Sequence, residues 1–284
     1  MAVDEIQFKY MAADGEEIAA FRWQGDAMPK AVIQLAHGAG EHSRRYLEPL
    51  TPLLDDGYII YSADHRGHGL TSGTERYGDF GPEGAKACIE DMATLTQLIR
   101  QDEEGLPVIL LGHSMGAMFS QVYMLDYSDM IDALVLSGTA GGPPPANPVT
   151  VDRKFQGRTD YDWLTRDDAE VDKYIADPLC KINFTEASRE SLGKLRERLG
   201  KVEALAGVRN TLPTYVFVGD KDPVNANLSR IFPLIEMFKE AGMTDVSLKV
   251  YPGGRHEMLN ETNRDEVVAD LKAWLDETVN HLVG

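Results

Sequence analysis

The chain has 284 residues, 46 of them Asp or Glu and 28 Lys or Arg, so its formal net charge is −18; 43% of the residues are hydrophobic and only two are Cys. This excludes intrinsic disorder, collagen-like repeats and a disulfide-held scaffold. The acidity, with no Lys/Arg-rich run, also excludes nucleic acid as a partner, because phosphate backbones are bound through clustered cations that release counterions.

From the N-terminus, Met1-Ala2-Val3-Asp4-Glu5 lacks the basic region and apolar run of a signal peptide. No later stretch reaches the ~18 apolar residues of a membrane span. A soluble cytoplasmic protein without an integral membrane span is the expectation. Ile6–Tyr10 and Glu17–Trp23 read as strands joined by a turn near Asp14-Gly15, an antiparallel start. Short apolar runs follow at Ala31–Leu35, Tyr58–Ala63, Val108–Leu111, Ala133–Ser137 and Tyr215–Val218, each read as a buried strand, and Ser247–Tyr251 reads as a strand before the last helix. Between them lie helical patterns. Cys88, Met92, Leu95 and Ile99 recur at three- and four-residue steps, Ala117–Leu125 forms another, and Val267, Val268, Leu271, Trp274, Leu275 and Val279 trace one face near the C-terminus. Alternation of this kind predicts an α/β fold, a mainly parallel sheet with helices on both faces. The rhythm breaks at Gly141-Gly142-Pro143-Pro144-Pro145 and resumes near Leu212. Residues 142–207, charged and helical in flavour, are read as an inserted helical cap, and 1–141 with 208–284 as the core. Cys88 falls in an apolar helical pattern and is expected to be a buried, reduced thiol.

The sharpest motif is Gly112-His113-Ser114-Met115-Gly116, directly after one predicted strand and before a helix. Its three fixed letters arise by chance in roughly one chain in ten of this length, so the strand–turn–helix placement carries the signal. A tight turn there lifts a Ser hydroxyl to the top of the sheet, beside the positive end of a helix. The plain alternative is a Gly-rich βα turn. A Ser nucleophile needs a base and a group to orient that base, in the chain order Ser, acid, His. Gly219-Asp220-Lys221-Asp222 and then His256 meet the order, each just past a predicted strand, where ligands gather in open α/β sheets. Asp222 is taken as the orienter, with Asp220 the alternative candidate or a turn-forming residue. For His256 the bland alternative is a solvated loop histidine, while His281, on the last helix, reads as a surface residue. Leu35-Ala36-His37-Gly38-Ala39-Gly40 ends an early strand with a Gly-rich turn that could present a backbone N–H to an oxyanion, the second coming from Met115.

Two patterns are set aside. His256-Glu257-Met258-Leu259-Asn260 has Asn where the zincin motif needs its second His. Asp64-His65-Arg66-Gly67-His68-Gly69 reads as a hydrogen-bonded turn, since no further His or Cys ligands accompany it. No metal or cofactor site is expected, and no P-loop or dinucleotide fingerprint occurs.

Together these residues resemble the monoacylglycerol lipase and lysophospholipase-like branch of the α/β-hydrolase superfamily, also grouped with serine aminopeptidase-like hydrolases. The matching blocks are His37-Gly38-Ala39-Gly40-Glu41-His42-Ser43 with Tyr46, Asp64–Gly69, Gly112–Gly116, Asp177-Pro178-Leu179, Gly219–Asp222 and Gly254-Arg255-His256-Glu257. The resemblance implies Ser114 as nucleophile, Asp222 as orienter, His256 as base, and Ala39 and Met115 as oxyanion donors. Residues 142–207 would be the lid over an acyl-binding tunnel, with Phe155, Tyr161, Trp163, Leu164 and Phe184 as available apolar lining. The expected activity is carboxylic ester hydrolysis through an acyl-enzyme, without a cofactor. The expected partner is a small-molecule ester with one acyl chain, such as a monoacylglycerol or lysophospholipid. A promiscuous short-chain carboxylesterase, an aminopeptidase and a non-catalytic ligand-binding protein are the alternatives. The predicted cap carries 11 basic and 12 acidic residues, a net of −1, so the acidity belongs to the core.

Overall fold

The computed structural model describes residues 3–141, 157–181 and 183–284. Phe155 and the rest of 142–156, with Ile182, lie outside the described residues. Strands β1 (Asp4–Met11), β2 (Glu17–Gln24) and β3 (Ala31–Ala36) are followed by α1 (Leu47–Leu54), β4 (Tyr58–Ala63), the single turn α2 (Gly69–Ser72) and α3 (Ala85–Asp102). Then come β5 (Val108–His113), α4 (Met115–Tyr127) and β6 (Ala133–Ser137). Helices α5 (Asp168–Ala176) and α6 (Glu186–Arg196) follow, then β7 (Thr214–Gly219), α7 (Phe232–Glu240), β8 (Val246–Tyr251) and α8 (Arg264–Val283).

The eight strands form one sheet in the order β1-β2-β4-β3-β5-β6-β7-β8. β1 pairs antiparallel with β2, and β2 with β4. Every later pairing is parallel. The antiparallel start expected from the Asp14-Gly15 turn is present, and the parallel remainder follows from helical crossovers between strands.

The apolar runs work as strands because both sheet faces are covered. Along β5, Val108 and Leu110 enter one core cluster while Ile109 and Leu111 enter the other. The first cluster takes Met92, Leu95 and Ile99 of α3, Phe119 and Val122 of α4, and Leu234 and Phe238 of α7. The second takes Leu50 and Leu53 of α1 with Val267, Leu271 and Leu275 of α8. A strand buried on both faces has no polar alternation, which is why period-two patterning is absent from the sequence there. Cys88 is fully buried in the first cluster and unpaired.

Between β6 and β7 the described residues contain α5 and α6 and no strand. Both helices have side-chain caps: the Asp167 carboxylate accepts from Ala169 N–H, and the Thr185 hydroxyl accepts from Ser188 N–H. Among the described residues, no helix is long and apolar enough to cross a membrane.

Candidate active site

Ser114 lies between β5 and α4 with φ 53° and ψ −114°, a conformation costly for any residue with a Cβ. The flanking glycines make the turn possible. A Cβ on Gly116 would overlap the backbone oxygen of Ala36, and one on Gly112 would overlap Ser120 Oγ. Helix α4 can therefore press against β3 and β5 only with glycine at both positions. Ser114 N–H donates to Ser137 O at 2.9 Å, fixing the turn against β6.

The three side chains predicted at separate strand ends converge. Ser114 Oγ lies 2.8 Å from His256 Nε2, and His256 Nδ1 lies 3.0 Å from Asp222 Oδ2. A carboxylate can only accept, so Nδ1 carries the ring proton and Nε2 is left to accept from the Ser114 hydroxyl. Asp222 is fully buried, and its second oxygen accepts from Val224 N–H at 2.8 Å. Asp220 does something else: its Oδ1 accepts from Gly253 N–H at 2.7 Å, tying the loop that carries His256 to the end of β7. Burial opposes charge on His256, but Asp222, reinforced by Glu257 and Glu41, outweighs it and holds the imidazole above its ordinary 6.5.

The turn expected to hold an oxyanion donor is clamped from two sides. His65 N–H donates to His37 Nε2 at 3.0 Å, so the ring proton of His37 is on Nδ1 and donates to Gly38 O at 2.8 Å. Burial lowers the His37 pKa to about 4, which keeps the ring neutral. The Gly38–Ala39 peptide is trans, so Ala39 N–H points away from the carbonyl that His37 holds. On the other side Gly38 N–H donates to Glu41 Oε1 at 2.5 Å. A Cβ on Gly38 would lie 3.1 Å from Ser114 Cβ, so this turn sits directly beside the hydroxyl. Ala39 N–H has no acceptor among the described residues. Met115, as first residue of α4, has an N–H that no earlier helical turn can accept.

Sequence reasoning passed over a buried charge cluster behind His256. Arg45 donates to Glu257 through both nitrogens, at 2.8 and 2.7 Å, and to Glu41 at 2.5 Å. Glu41 also accepts from Tyr46 OH at 2.7 Å. The i,i+4 spacing of Glu41 and Arg45 was visible, but such a pair normally reads as solvated. From the segment between β6 and β7, the Trp163 ring lies 5.0 Å from the His256 ring, and the His113 ring lies 4.8 Å from it.

The Asp64–Gly69 segment is a structural turn. Asp64 accepts from the N–H groups of Ser43 and Leu70 at 2.8 and 2.7 Å, and Arg66 pairs with Asp14 and Asp91.

Comparison with known proteins extends this geometry. The family model described as serine aminopeptidase, S33, matches residues 27–263. The chain belongs to the serine aminopeptidase (S33) family. It is therefore a serine hydrolase. The monoacylglycerol lipase of Mycolicibacterium smegmatis is 31% identical over 97% of this chain and 98% of its own length. Human monoglyceride lipase is 26% identical, covering 93% of this chain and 88% of its own. Among solved structures, a thermostable carboxyl esterase from Bacillus coagulans superposes on this S33 hydrolase with a TM-score of 0.87 at 27% identity, over 98% of this chain and 99% of the other. A soluble variant of the Saccharomyces cerevisiae monoglyceride lipase shares the fold, with a TM-score of 0.78 at 20% identity, over 98% of this chain and 95% of the other.

Proposed function

We propose that this S33 hydrolase cleaves carboxylic esters bearing one acyl chain, of the monoacylglycerol or lysophospholipid kind, through an acyl-enzyme on Ser114. The observation that carries the reading is the continuous hydrogen-bond chain Ser114–His256–Asp222. His256 takes the Ser114 proton as Oγ attacks the ester carbonyl, and Asp222 stabilises the imidazolium that forms. Charge developing on the carbonyl oxygen is met by the N–H groups of Ala39 and Met115. The imidazolium then protonates the departing alcohol, and water repeats the cycle to release the acid. No cofactor enters this scheme.

Residues 142–207 act in this reading as a cap over the core formed by 1–141 and 208–284. Trp163 against His256 supports it, as does the near-zero net charge of the segment, which suits an uncharged glyceride better than the acidic core does. The relatives named as monoacylglycerol lipases and as a carboxyl esterase support the ester class.

An aminopeptidase reading needs a free carboxylate to hold a substrate ammonium group. Asp222 is committed to His256, and the buried carboxylates Glu41 and Glu257 are both committed to Arg45, Glu41 also to Gly38 N–H. That favours the ester.

The test is Ser114→Ala alongside the wild type. The variant is expected to lose labelling by a fluorophosphonate and at least ~10³-fold of its turnover of p-nitrophenyl esters. Wild-type protein that takes up no label would refute the acyl-enzyme. The same assay against acyl length, run beside monoacylglycerol, lysophosphatidylcholine and aminoacyl p-nitroanilides, tests the substrate class. Preference for the anilides would overturn it.

A further inference from the structure

We propose that His42, Asp177 and Cys180 form a binding site for a borderline-soft divalent cation of the Zn2+ class, clamping the segment between β6 and β7 onto the turn that carries Ala39. The imidazole, carboxylate and thiol donor atoms all lie within 4.8 Å of one another. His42 and Asp177 are 135 residues apart in sequence, so the set is assembled only by the fold.

The local geometry is prepared for a metal. Asp177-Pro178-Leu179-Cys180 forms a tight turn in which Cys180 N–H donates to Asp177 O at 3.0 Å. Leu179 N–H donates to Asp177 Oδ1 at 2.8 Å, which leaves Oδ2 facing His42 Nε2 at 2.9 Å. The turn thus presents a carboxylate and a thiol three residues apart on one side, opposed by an imidazole from the other segment. Nitrogen, oxygen and sulfur together suit Zn2+, whereas Mg2+ and Ca2+ want oxygen ligands throughout. His42 and Cys180 are buried, while the Asp177 side chain is 31% exposed, so a water in the fourth position has a way in.

The surrounding charge is compatible with a cation. The groups facing Cys180 are Arg45, Asp177, Glu41, Glu257 and the phenols of Tyr174 and Tyr77. Arg45 is already matched by Glu41 and Glu257, and Asp177 adds one more negative charge. Binding must remove protons. The Cys180 thiol releases one to solvent as its sulfur bonds the metal, and His42 changes tautomer: the Nε2 proton that faces Asp177 leaves to solvent while Nδ1 takes one up, so the neutral ring offers Nε2.

The test uses the full chain, stripped with EDTA and titrated with Co2+ as a spectroscopic stand-in for Zn2+. One equivalent should produce thiolate-to-cobalt charge transfer in the near ultraviolet with strong tetrahedral visible bands, and Zn2+ should bleach both and raise Tm. Cys180→Ser should abolish the charge-transfer band, and Cys88→Ala should keep it. His42→Asn and Asp177→Asn should each weaken binding more than about tenfold, since even outer partners of metal ligands are worth about 10–100-fold. No charge transfer in the wild type would overturn the site. So would a band that survives Cys180→Ser, or Zn2+ affinity unchanged in all three ligand variants. None of these readouts uses ester turnover, so they stand or fall apart from the proposed activity.

Discussion

Asp220 and Asp222 are two residues apart, chemically identical, and used for different ends. Asp222 is fully buried and reaches His256, whereas Asp220 caps the loop on which His256 sits. The environment of His256 sets a pH dependence. In the proposed mechanism the neutral ring is the base, and the carboxylates around it hold its pKa above 6.5 despite burial. Ester turnover should therefore fall as pH drops through a value above 6.5. Asp222→Asn removes the main favourable partner and leaves burial dominant. The variant should lose about 10⁴-fold in kcat, and the acid limb of its residual activity should move below that of the wild type. A limb that stays in place would show that Asp222 does not tune the base.

At the level of elements, the turn after β3 and the turn after β8 are joined by Arg45, which sits between Glu41 and Glu257 just ahead of α1. Taking away the cation would leave two buried carboxylates facing each other. Arg45→Met should destabilise the protein by about 3–5 kcal/mol, read from urea unfolding. The same cluster predicts acid sensitivity. Although burial works the other way, Arg45 holds Glu257 down at about 2, against an ordinary 4.5. A depressed carboxylate contributes its stability above its unfolded pKa and loses it as pH falls towards the folded one. Wild-type stability should thus decline between pH 4.5 and about 2, and less of that decline should remain in Glu257→Gln. Identical acid profiles for the two proteins would contradict the assignment.

Across the whole molecule, the described residues between β6 and β7 are tied to the rest by many separate hydrogen bonds. Arg255 donates to the carbonyls of Asp162 and Thr165, Thr165 donates to Asn260 O, and Arg166 pairs with the buried Glu261. Further along, Thr185 N–H donates to Gly78 O, and Phe80 N–H to Ser188 Oγ. Such stitching should make the segment melt with the sheet. Near- and far-ultraviolet circular dichroism should give coincident thermal transitions, and an earlier near-ultraviolet loss would show that the segment opens on its own.

Much of the sheet was legible because a strand buried on both faces is a short apolar run, and helices between such runs force parallel pairing. β4 and β6 carry the predicted bounds, and β3, β5, β7 and β8 extend theirs by one or two residues. Local chemistry likewise marked Ser114 by its glycines and His256 by its place after a strand. Beyond the Ser114, Asp222 and His256 set, which chain order marked, the sequence could not supply contacts that depend on distant segments meeting. Burying Arg45 between two carboxylates, setting Trp163 on His256 and bringing His42 to Asp177 all depend on which strand ends become neighbours. Chain order alone does not carry that spacing, and burial, which turns an ordinary surface ion pair into a buried anchor, exists only once the layers have packed.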